Sequence, residues 1–240
     1  MEGNVATYVT SDLHGLSLPR FLALLEKANF SDADTLYVLG DVIDREGDGG
    51  VAVLEWLSLK ENAVLLLGNH EEVLLACEFA FDEITEEGAD ALTGEMLETL
   101  MTYSREGGDV TLCALRRLAR RDPALVRGLF DYLRDAPLYE TVQAGGREFF
   151  LCHAGLGNFD ARRRPDDYSV DELLWARPTL FDRYFDDVIT IFGHTPTALL
   201  DPKSAGRVLF TDTWIDVDVG VASGSPAVLL CLDDLSVITE

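Results

Sequence analysis

Short apolar segments of this chain alternate between strand-like and helical spacing, and this pattern restricts the fold more than any other feature. The segments Val5 to Thr10, Thr35 to Leu39 and Ala63 to Leu67 have the composition and length of β-strands. Leu18 to Ala28 and Val51 to Leu59, which lie between them, have helical spacing. Strands that alternate with helices predict βαβ units and a largely parallel sheet.

Small polar motifs follow the strands of this pattern. They are Ser11–Gly15 (SDLHG), Gly40–Arg45 (GDVIDR), Gly68–Glu71 (GNHE), His153–Gly155 (HAG) and Gly193–Thr195 (GHT). All four histidines of the 240-residue chain lie in these motifs. Because ligands bind at the carboxyl ends of strands in α/β sheets, the sequence predicts one polar site built from the five motifs.

A different pattern follows the third strand, where few strand-like segments occur. Helices are predicted over Glu72–Phe81, Asp90–Tyr103, Val110–Arg121 and Pro123–Leu133, which we interpret as a helical insertion at about residues 72–134. Leu138–Val142 and Glu148–His153 flank a Gly145-Gly146 turn and predict a hairpin. Further strands are predicted at Val188–Phe192 and, in an antiparallel tail, at Val208–Phe210, Trp214–Val219 and Val228–Leu232. We therefore expect one α/β domain over residues 1–240.

Charge and composition exclude several classes of function. The formal net charge is −24, and such a field disfavours binding to nucleic-acid backbones and to anionic membranes. No apolar segment approaches the roughly 20 residues that span a bilayer, and the N-terminal residues do not have the pattern of a signal peptide. The four cysteines are scattered without a CxxC pair, which favours reduced thiols. We expect a cytoplasmic protein without nucleic-acid or membrane partners.

The side chains of the motifs are suited to binding metal ions. The candidate ligands offer only oxygen and nitrogen donors: Asp12, His14, Asp41, Asn69, His153 and His194. Without thiolates, this set suits Mn²⁺, Zn²⁺ or Fe ions at an open catalytic site better than a closed structural zinc site. Six ligands are too many for one ion that must also admit water and substrate. The sequence therefore predicts two divalent ions, an arrangement in which a carboxylate can bridge the pair and phosphate esters are hydrolysed.

In this order, the five motifs resemble those of the calcineurin-like metallophosphoesterases, and most closely those of the bacterial branch of the serine/threonine protein phosphatases. The resemblance extends from Val5 to about Thr197. It implies an α/β fold of the metallophosphoesterase type, which is a β-sandwich flanked by helices. It also implies that one ion is bound by Asp12 and His14, that Asp41 bridges the ions, and that the second is bound by Asn69, His153 and His194.

The same resemblance implies roles for four further residues. Arg45 would bind the phosphate, and its guanidinium fork matches two phosphoryl oxygens. His70 would be the general acid that protonates the leaving oxygen, with Asp44 as its carboxylate partner. Arg177, in the segment Trp175-Ala176-Arg177, stands where bacterial members have a second phosphate-binding arginine. The implied reaction is direct in-line attack by a metal-held hydroxide without a phosphoenzyme.

Three positions in the motifs need a separate interpretation. Ser11 stands where the family usually has glycine, a small-for-small change that we expect to have little effect. Glu46 replaces the glycine that usually follows the phosphate-binding arginine. Glutamate is strained there if the position has a positive φ, and it could pair with Arg45 or repel a phosphate. Glu71 lies in the first turn of a predicted helix, where the helix dipole explains it without a catalytic role.

The sequence as a whole predicts a two-metal phosphoesterase that acts on phosphomonoesters, either phosphoserine and phosphothreonine in proteins or a small phosphoester. One alternative is symmetric diadenosine-tetraphosphate hydrolysis, the activity of a sister family that usually has GNHD and lacks the aspartate of Asp44-Arg45. Glu71 and Asp44 therefore favour the phosphatase. An alternative from another class is a binding or regulatory protein with weak catalysis. Such a protein would be expected to have lost metal ligands or His70, and only Glu46 favours it.

Overall fold

Two five-stranded mixed sheets form the centre of the protein in a computed structural model that describes residues 5–81 and 92–240. The strands are β1 (Thr7–Thr10), β2 (Thr35–Val38), β3 (Ala63–Leu65), β4 (Tyr139–Ala144), β5 (Arg147–Cys152), β6 (Ile189–Phe192), β7 (Leu209–Phe210), β8 (Trp214–Asp216), β9 (Val228–Cys231) and β10 (Val237–Thr239). The first sheet has the order β10-β9-β1-β2-β3, and the second has the order β4-β5-β6-β8-β7. Strands β1, β2 and β3 are parallel, as are β5, β6 and β8, and the other neighbouring pairs are antiparallel.

Helices lie along the chain between these strands. Within the described ranges the α-helices are α1 (Leu18–Lys27), α2 (Val51–Ser58), α3 (Asn69–Ala76), α4 (Gly94–Tyr103), α5 (Asp109–Ala119), α6 (Pro123–Arg134), α7 (Val170–Leu174) and α8 (Thr197–Leu200). Short 3₁₀ turns occur at Glu78–Phe81, Pro165–Asp167, Pro202–Ser204 and Val221–Ser223, and a wide π-type turn at Ser104–Gly108 joins α4 to α5. Among these helices, none combines the length and the apolar character needed to cross a bilayer.

An apolar core joins the inner faces of the two sheets. Because strand residues alternate between faces, Phe149 and Leu151 of β5 enter this core, whereas Phe150 and Cys152 pack on the outer side of their sheet. The inner core also receives residues from both sheets: Val9, Leu230, Ile191 and Ile215. The prediction of a β-sandwich is therefore confirmed.

Helices cover the outer face of the first sheet. Phe21 of α1, Leu54 of α2 and Leu129 of α6 are each at most 2% exposed and belong to one apolar cluster with the sheet residues Leu36 and Val38. The outer face of the second sheet is covered by α7 and by the loops around it, with Trp214 buried completely. Burial of this apolar surface is the main favourable contribution to folding. The described residues thus form layers of helix, sheet, sheet and helix.

The predicted helical insertion is formed by α3 to α6, between β3 and β4. Helix α3 begins at Asn69 rather than at Glu72, because the extended backbone of Gly68 precedes it and the GNHE motif itself forms its first turn. Asp90, where the second insertion helix was predicted to begin, lies outside the described residues. Helix α4 begins at Gly94. The side chain of Thr93, the N-cap residue, accepts a hydrogen bond from the N–H of Met96.

The antiparallel tail that the sequence predicts is confirmed for β7 and β8, which pair antiparallel, but other parts of the tail differ from the prediction. Strand β8 pairs in parallel with β6 and ends at Asp216 rather than at Val219. Strand β9 pairs antiparallel with β1, and Val237–Thr239 adds a strand that the sequence analysis does not predict. The direction of a strand depends on the neighbour with which it pairs, and local composition does not encode that neighbour. The parallel order of β1, β2 and β3 and the hairpin of β4 and β5 are confirmed.

The carboxylate of Asp34 stabilises the start of β1, at the end of the strand away from the polar motifs. One oxygen accepts a hydrogen bond from the N–H of Ala6 at 2.8 Å. The other accepts from the N–H and from the hydroxyl of Ser31, both at 2.8 Å. Burial acts to raise the pKa of Asp34, but these hydrogen bonds outweigh burial and lower the pKa. The ionised form therefore stabilises the fold.

Asp34→Asn is expected to lower the free energy of unfolding at pH 7 by about 1–3 kcal/mol, because one amide oxygen cannot replace both carboxylate oxygens. A depressed pKa stabilises the fold only while the carboxylate is ionised. The difference from wild type should therefore shrink as the pH falls below about 4, the pKa of aspartate in unfolded chains. Urea unfolding at several pH values measures this. Asp32→Asn is the control, since its side chain is 96% exposed. An equal loss in the control would contradict the assignment.

Candidate functional site

The carboxylate of Asp41 lies between two groups of histidine side chains. Its Oδ2 is 3.7 Å from Nε2 of His14, and its Oδ1 is 3.5 Å from Nε2 of His153. Two sets of potential ligand atoms share it, one with His14 and His70 and the other with His153 and His194. Asp41 therefore occupies the place of the bridging carboxylate that the sequence predicts.

Left-handed backbone turns these side chains towards one another at the ends of their strands. The φ angles are 51° at Asp12, 41° at His14, 53° at Asp41 and 66° at His194. Aspartate and histidine are among the residues that adopt this region, although each such position costs of order 1–3 kcal/mol of strain. Strain of this kind is concentrated at binding and catalytic sites, and here it follows β1, β2 and β6.

The ring of His153 is held in one orientation by the backbone. Its Nδ1 donates to the carbonyl oxygen of Leu39 at 2.6 Å, so the lone pair of Nε2 faces the site. That nitrogen lies 2.9 Å from Oδ1 of Asn69 and 3.2 Å from Nδ1 of His194. A nitrogen lone pair and an amide oxygen that point at each other have no proton to share. A cation accounts for this arrangement.

Two further polar atoms are buried without a hydrogen-bond partner, namely Oδ1 of Asp12 and Nε2 of His194. The other oxygen of Asp12 accepts from the hydroxyl of Ser11 at 2.6 Å and from the N–H of His194 at 2.8 Å. Most buried polar atoms in proteins are paired, and an unpaired carboxylate oxygen and imidazole nitrogen in one cluster of potential ligands are atoms that a cation could satisfy. Oδ1 of Asp12 lies 3.7 Å from Nε2 of His14. The donor atoms thus fit bound cations on both sides of Asp41.

The protonation states agree with this interpretation. Burial lowers the pKa of His14 to about 3 and that of His194 to about 2, so both rings are neutral, the form that binds metals. Burial also acts to raise the pKa of Asp41, but the surrounding histidines, with His153 first, reverse the effect and lower it. Burial, and then repulsion from Asp41, raise the pKa of Asp12 to about 6. A bound cation would favour the ionised form of both carboxylates.

His70 and Asp44 form a pair beside this cluster. Nδ1 of His70 donates to Oδ2 of Asp44 at 2.6 Å, which leaves Nε2 facing Asp41 at 3.8 Å. Burial acts to lower the pKa of His70, but the carboxylates of Asp41 and Asp44 raise it to about 9. The raised pKa favours the protonated ring, which is the form that can donate a proton. Nη2 of Arg45 lies 3.3 Å from the same Nε2.

Residues of the helical insertion hold this pair, and the sequence analysis does not single them out. The hydroxyls of Tyr103 and Thr111 each donate to Oδ1 of Asp44 at 2.6 Å. The N–H of Arg45 donates to the carbonyl oxygen of Gly107 at 2.9 Å. The signal that could have indicated these contacts is the Gly107-Gly108 pair, which interrupts a helical pattern next to both hydroxyl residues.

Glu71 has a role that the helix dipole does not describe. Its side chain is fully buried, and its two oxygens accept hydrogen bonds from consecutive backbone N–H groups of Asp41, Val42 and Ile43, at 2.8, 2.9 and 3.3 Å. The carboxylate thereby holds the loop that carries Asp41. This geometry agrees with the expectation that Glu71 need not be catalytic. The residue contacts the loop of Asp41 and does more than interact with the dipole of its own helix.

Glu46 does not produce the strain considered for it. The positive φ values belong to Asp44 (78°) and Arg45 (71°), whereas Glu46 is not in this region. Its side chain is exposed and makes no ion pair with Arg45 within the described parts of the chain. Its carbonyl oxygen would lie 2.2 Å from a Cβ atom added to Gly15, which explains the glycine that ends the first motif. Glu46 therefore no longer favours a binding protein with weak catalysis.

The segment that contains Arg177 is fixed against the site. Nη1 of Arg177 donates to the carbonyl oxygen of His194 at 3.0 Å and lies 3.1 Å from the hydroxyl of Thr195. The neighbouring Trp175 donates from Nε1 to a carboxylate oxygen of Glu72 at 2.8 Å. Arg177 and Arg45 consequently line the same cavity, although 131 residues separate the two along the chain.

All ten residues that the sequence predicts for the site come together in the structure. A cavity of about 250 Å³ is lined by His14, Asp41, Arg45, Asn69, His70, Arg177 and His194. The other three, Asp12, Asp44 and His153, are buried and contact these residues. Asp218 also lines the cavity. The chemical roles of these residues stay predictions.

Comparison with known families agrees with this geometry. The family model for calcineurin-like phosphoesterases matches residues 6–220. The chain belongs to this family. The predicted resemblance is thereby confirmed at the level of the family.

The similar curated proteins have one name in common. A symmetrical bis(5′-nucleosyl)-tetraphosphatase of Glaesserella parasuis is 42% identical over 74 residues, which are 30% of this chain and 26% of that protein. A protein of the same name from an Acidovorax strain is 29% identical over 153 residues, 63% of this chain and 44% of that protein. The chain therefore spans less than half the length of these relatives.

Solved structures share the fold at low sequence identity. A candidate diadenosine tetraphosphatase has a TM-score of 0.65 and 17% identity, with 100% of this chain and 94% of that chain covered. A serine/threonine phosphatase from Saccharomyces cerevisiae has a TM-score of 0.55 and 16% identity, with 100% and 80% covered. At this identity the similarity establishes the fold, and both substrate classes occur on it.

Gly68→Ala is expected to disrupt the site, because an added Cβ atom would lie 2.4 Å from the N and Oδ1 atoms of Asp41 and from Oε2 of Glu71. Displacement of this packed loop should lower the free energy of unfolding by about 1–3 kcal/mol and weaken Mn²⁺ binding. Urea unfolding and calorimetric titration with Mn²⁺ measure both. Gly128→Ala is the control, since no atom lies within 4 Å of its added Cβ and alanine favours the helix. Unchanged Mn²⁺ binding in Gly68→Ala would contradict the described packing.

Proposed function

We propose that this protein hydrolyses phosphomonoesters whose leaving group is an alcohol, such as phosphoserine or phosphothreonine in proteins, with two divalent cations. The observation that carries the proposal is the pair of His70 and Asp44 beside the shared carboxylate of Asp41. An alkoxide is a poor leaving group, and its departure is accelerated when a positioned acid protonates it. The raised pKa of His70, about 9, supports its assignment as this acid.

The metal ligands in this proposal are the six predicted residues. Asp12 and His14 would hold one cation, Asn69, His153 and His194 would hold the other, and Asp41 would contact both. When bound, such ions acidify a water molecule and stabilise negative charge on phosphoryl oxygens. The donors are oxygen and nitrogen atoms, which suits Mn²⁺, with Fe or Zn²⁺ as the alternatives.

The two arginines supply the site for the phosphoryl group. Arg45 and Arg177 line the cavity together, and guanidinium groups stay charged and match phosphoryl oxygens in pairs. Their positive charges oppose the net charge of −24 at the place where an anionic substrate would enter. The main-chain N–H of Arg45 donates to the carbonyl oxygen of Gly107, which holds the backbone of this arginine. The guanidinium of Arg177 is itself held by the carbonyl oxygen of His194.

The histidine–aspartate pair supplies the proton. Asp44 accepts from Nδ1 of His70, which fixes the ring so that Nε2 faces the cavity. The proton on Nε2 passes to the leaving oxygen as its bond to phosphorus breaks, and the negative Asp44 stabilises the imidazolium until that transfer. The adjacent Arg45 holds the phosphoryl group near this nitrogen.

A second candidate function is hydrolysis of dinucleoside tetraphosphates. The names of the similar curated proteins favour it, and so does the candidate diadenosine tetraphosphatase among the solved structures. The leaving group in that reaction is a nucleoside diphosphate, whose phosphate oxygen departs with less need for a proton than an alkoxide. The His70–Asp44 pair is therefore the feature that favours a phosphomonoester over a dinucleoside tetraphosphate as the substrate.

Metal binding should follow the arrangement of ligands around Asp41. We expect two Mn²⁺ ions per wild-type chain by calorimetric titration and elemental analysis. His14→Asn should retain one ion and His194→Asn should retain the other, whereas Asp41→Asn should weaken both, because its carboxylate belongs to both groups. Asp32→Asn, at an exposed position, serves as the control. A single ion in the wild-type protein would rule out the two-metal arrangement.

His70→Asn should affect substrates according to their leaving group. With a phosphoserine peptide we expect kcat/KM to fall by roughly 10²–10⁴, the usual contribution of a general acid. With p-nitrophenyl phosphate the loss should be far smaller, since p-nitrophenolate leaves without a proton. Metal content is measured in parallel to confirm that the ligands are intact. Equal losses on both substrates would contradict the role of His70 as the acid.

The same assay ranks the candidate functions. Diadenosine tetraphosphate is included beside the phosphopeptide, and kcat/KM values are compared under identical metal conditions. A higher value for diadenosine tetraphosphate, with little effect of His70→Asn on that substrate, would replace the phosphomonoesterase by the tetraphosphatase. Absence of turnover on every substrate, with both metals bound, would favour a binding protein on the same fold.

A further inference from the structure

We infer that Tyr103 and Thr111 of the helical insertion are positioning residues for the proton donor. Their hydroxyls hold the carboxylate of Asp44 so that its second oxygen orients His70. The inference rests on the proposed function, because it concerns the donation of a proton to an alcohol leaving group. It assigns to the insertion a part in the reaction in addition to its part in the core.

Both oxygens of the Asp44 carboxylate accept short hydrogen bonds, three in all. Its Oδ1 accepts from Tyr103 and from Thr111, and its Oδ2 accepts from Nδ1 of His70, each at 2.6 Å. Asp44 is completely buried, so water cannot replace any of these partners. Two donors on one oxygen fix the rotation of the carboxylate, and the rotation determines where Oδ2 lies. Oδ2 in turn determines the orientation of the imidazole ring.

Thr111 also holds the backbone of the aspartate. Its hydroxyl oxygen accepts a hydrogen bond from the N–H of Asp44 at 3.0 Å while its proton is donated to Oδ1. The backbone of Asp44 has a φ of 78°, which is unfavourable for a residue other than glycine. One side chain from α5 thus stabilises both the strained backbone and the carboxylate of the residue that contacts His70.

Two glycines leave the space that these hydroxyl side chains occupy. A Cβ atom on Gly49 would lie 2.3 Å from Oγ1 of Thr111, and one on Gly108 would lie 2.4 Å from the ring of Tyr103. Tyr103 ends α4 and Thr111 lies in the first turn of α5, and the π-type turn between them brings both to the same carboxylate. The insertion is therefore shaped around Asp44.

A purely structural role for the two hydroxyls makes a different prediction. If they only satisfied a buried carboxylate, their removal would weaken folding and would reduce all activity to the same degree. If they act through Asp44 on His70, their removal should matter only where His70 donates a proton. The two cases are separated by the leaving group of the substrate and by the presence of His70.

The experiment measures kcat/KM for Tyr103→Phe and Thr111→Val on a phosphoserine peptide and on p-nitrophenyl phosphate, in the wild-type and His70→Asn backgrounds. On the phosphopeptide we expect losses of roughly 10–100-fold, the usual effect of removing a partner that orients a functional histidine. On p-nitrophenyl phosphate the losses should be several-fold smaller. In the His70→Asn background neither substitution should cause a further loss.

Two variants serve as controls. Thr111→Ser retains the hydroxyl and should restore most of the activity that Thr111→Val loses. Tyr132→Phe removes a buried hydroxyl of the same insertion that has no hydrogen-bond partner in the described structure, and it should leave kcat/KM unchanged on both substrates. If Thr111→Val fails to fold, the comparison of Thr111→Ser with Tyr103→Phe still tests the inference.

A readout independent of turnover comes from proton NMR. The hydrogen on Nδ1 of His70, bonded to a buried carboxylate, should give a downfield resonance that disappears in His70→Asn and is readily assigned because the chain has four histidines. This resonance should shift in Tyr103→Phe and Thr111→Val, and it should stay in place in Tyr132→Phe.

The outcomes distinguish the inference from the proposed function. A wild-type protein with both metals bound that cleaves no phosphomonoester would overturn the proposed function, and the inference with it. An active wild-type protein whose two variants lose activity equally on both substrates, or lose it further in the His70→Asn background, would overturn the inference alone. An unshifted His70 resonance in both variants would also overturn the inference.

Discussion

The structure of the site depends on one carboxylate that several strands bring into contact with their histidines. Asp41 lies 3.5 to 3.8 Å from ring nitrogens of His14, His70 and His153, and these rings follow β1, β3 and β5. Burial acts to raise the pKa of Asp41, and the surrounding histidines lower it below its usual range. The negative carboxylate in turn favours the protonated form of His70, whereas the buried ring of His14 is neutral.

The backbone around this carboxylate is held by partners that take no direct part in the chemistry. Glu71 accepts three consecutive N–H groups of the loop that carries Asp41, and Gly68 leaves room for both side chains. Tyr103 and Thr111 hold Asp44 in the same way from the helical insertion. The strained backbone of the site is thus offset by hydrogen bonds from two directions, which is how strain at functional positions persists in folded proteins.

Much of this arrangement can be predicted from the sequence, and particular residues show where prediction ends. The alternation of strands and helices, with polar motifs at the strand ends, predicts the sandwich and brings Asp12, Asn69 and His194 to one edge. The direction of β8 and the existence of β10 are not predicted, because pairing depends on a neighbour distant in the chain. Glu46 would be strained only at a positive φ, and the left-handed conformation falls on the two residues before it.

By itself the sequence determines which donor residues the chain has and in which order they follow its strands, because these are local features of the motifs. Only the tertiary structure decides how those residues are supported. Asp44 receives its hydrogen bonds from residues 59 and 67 positions further along the chain, and such contacts have no periodic signature in the sequence. The sequence therefore predicts a histidine as the proton donor, and the fold decides that its ring is held in one orientation.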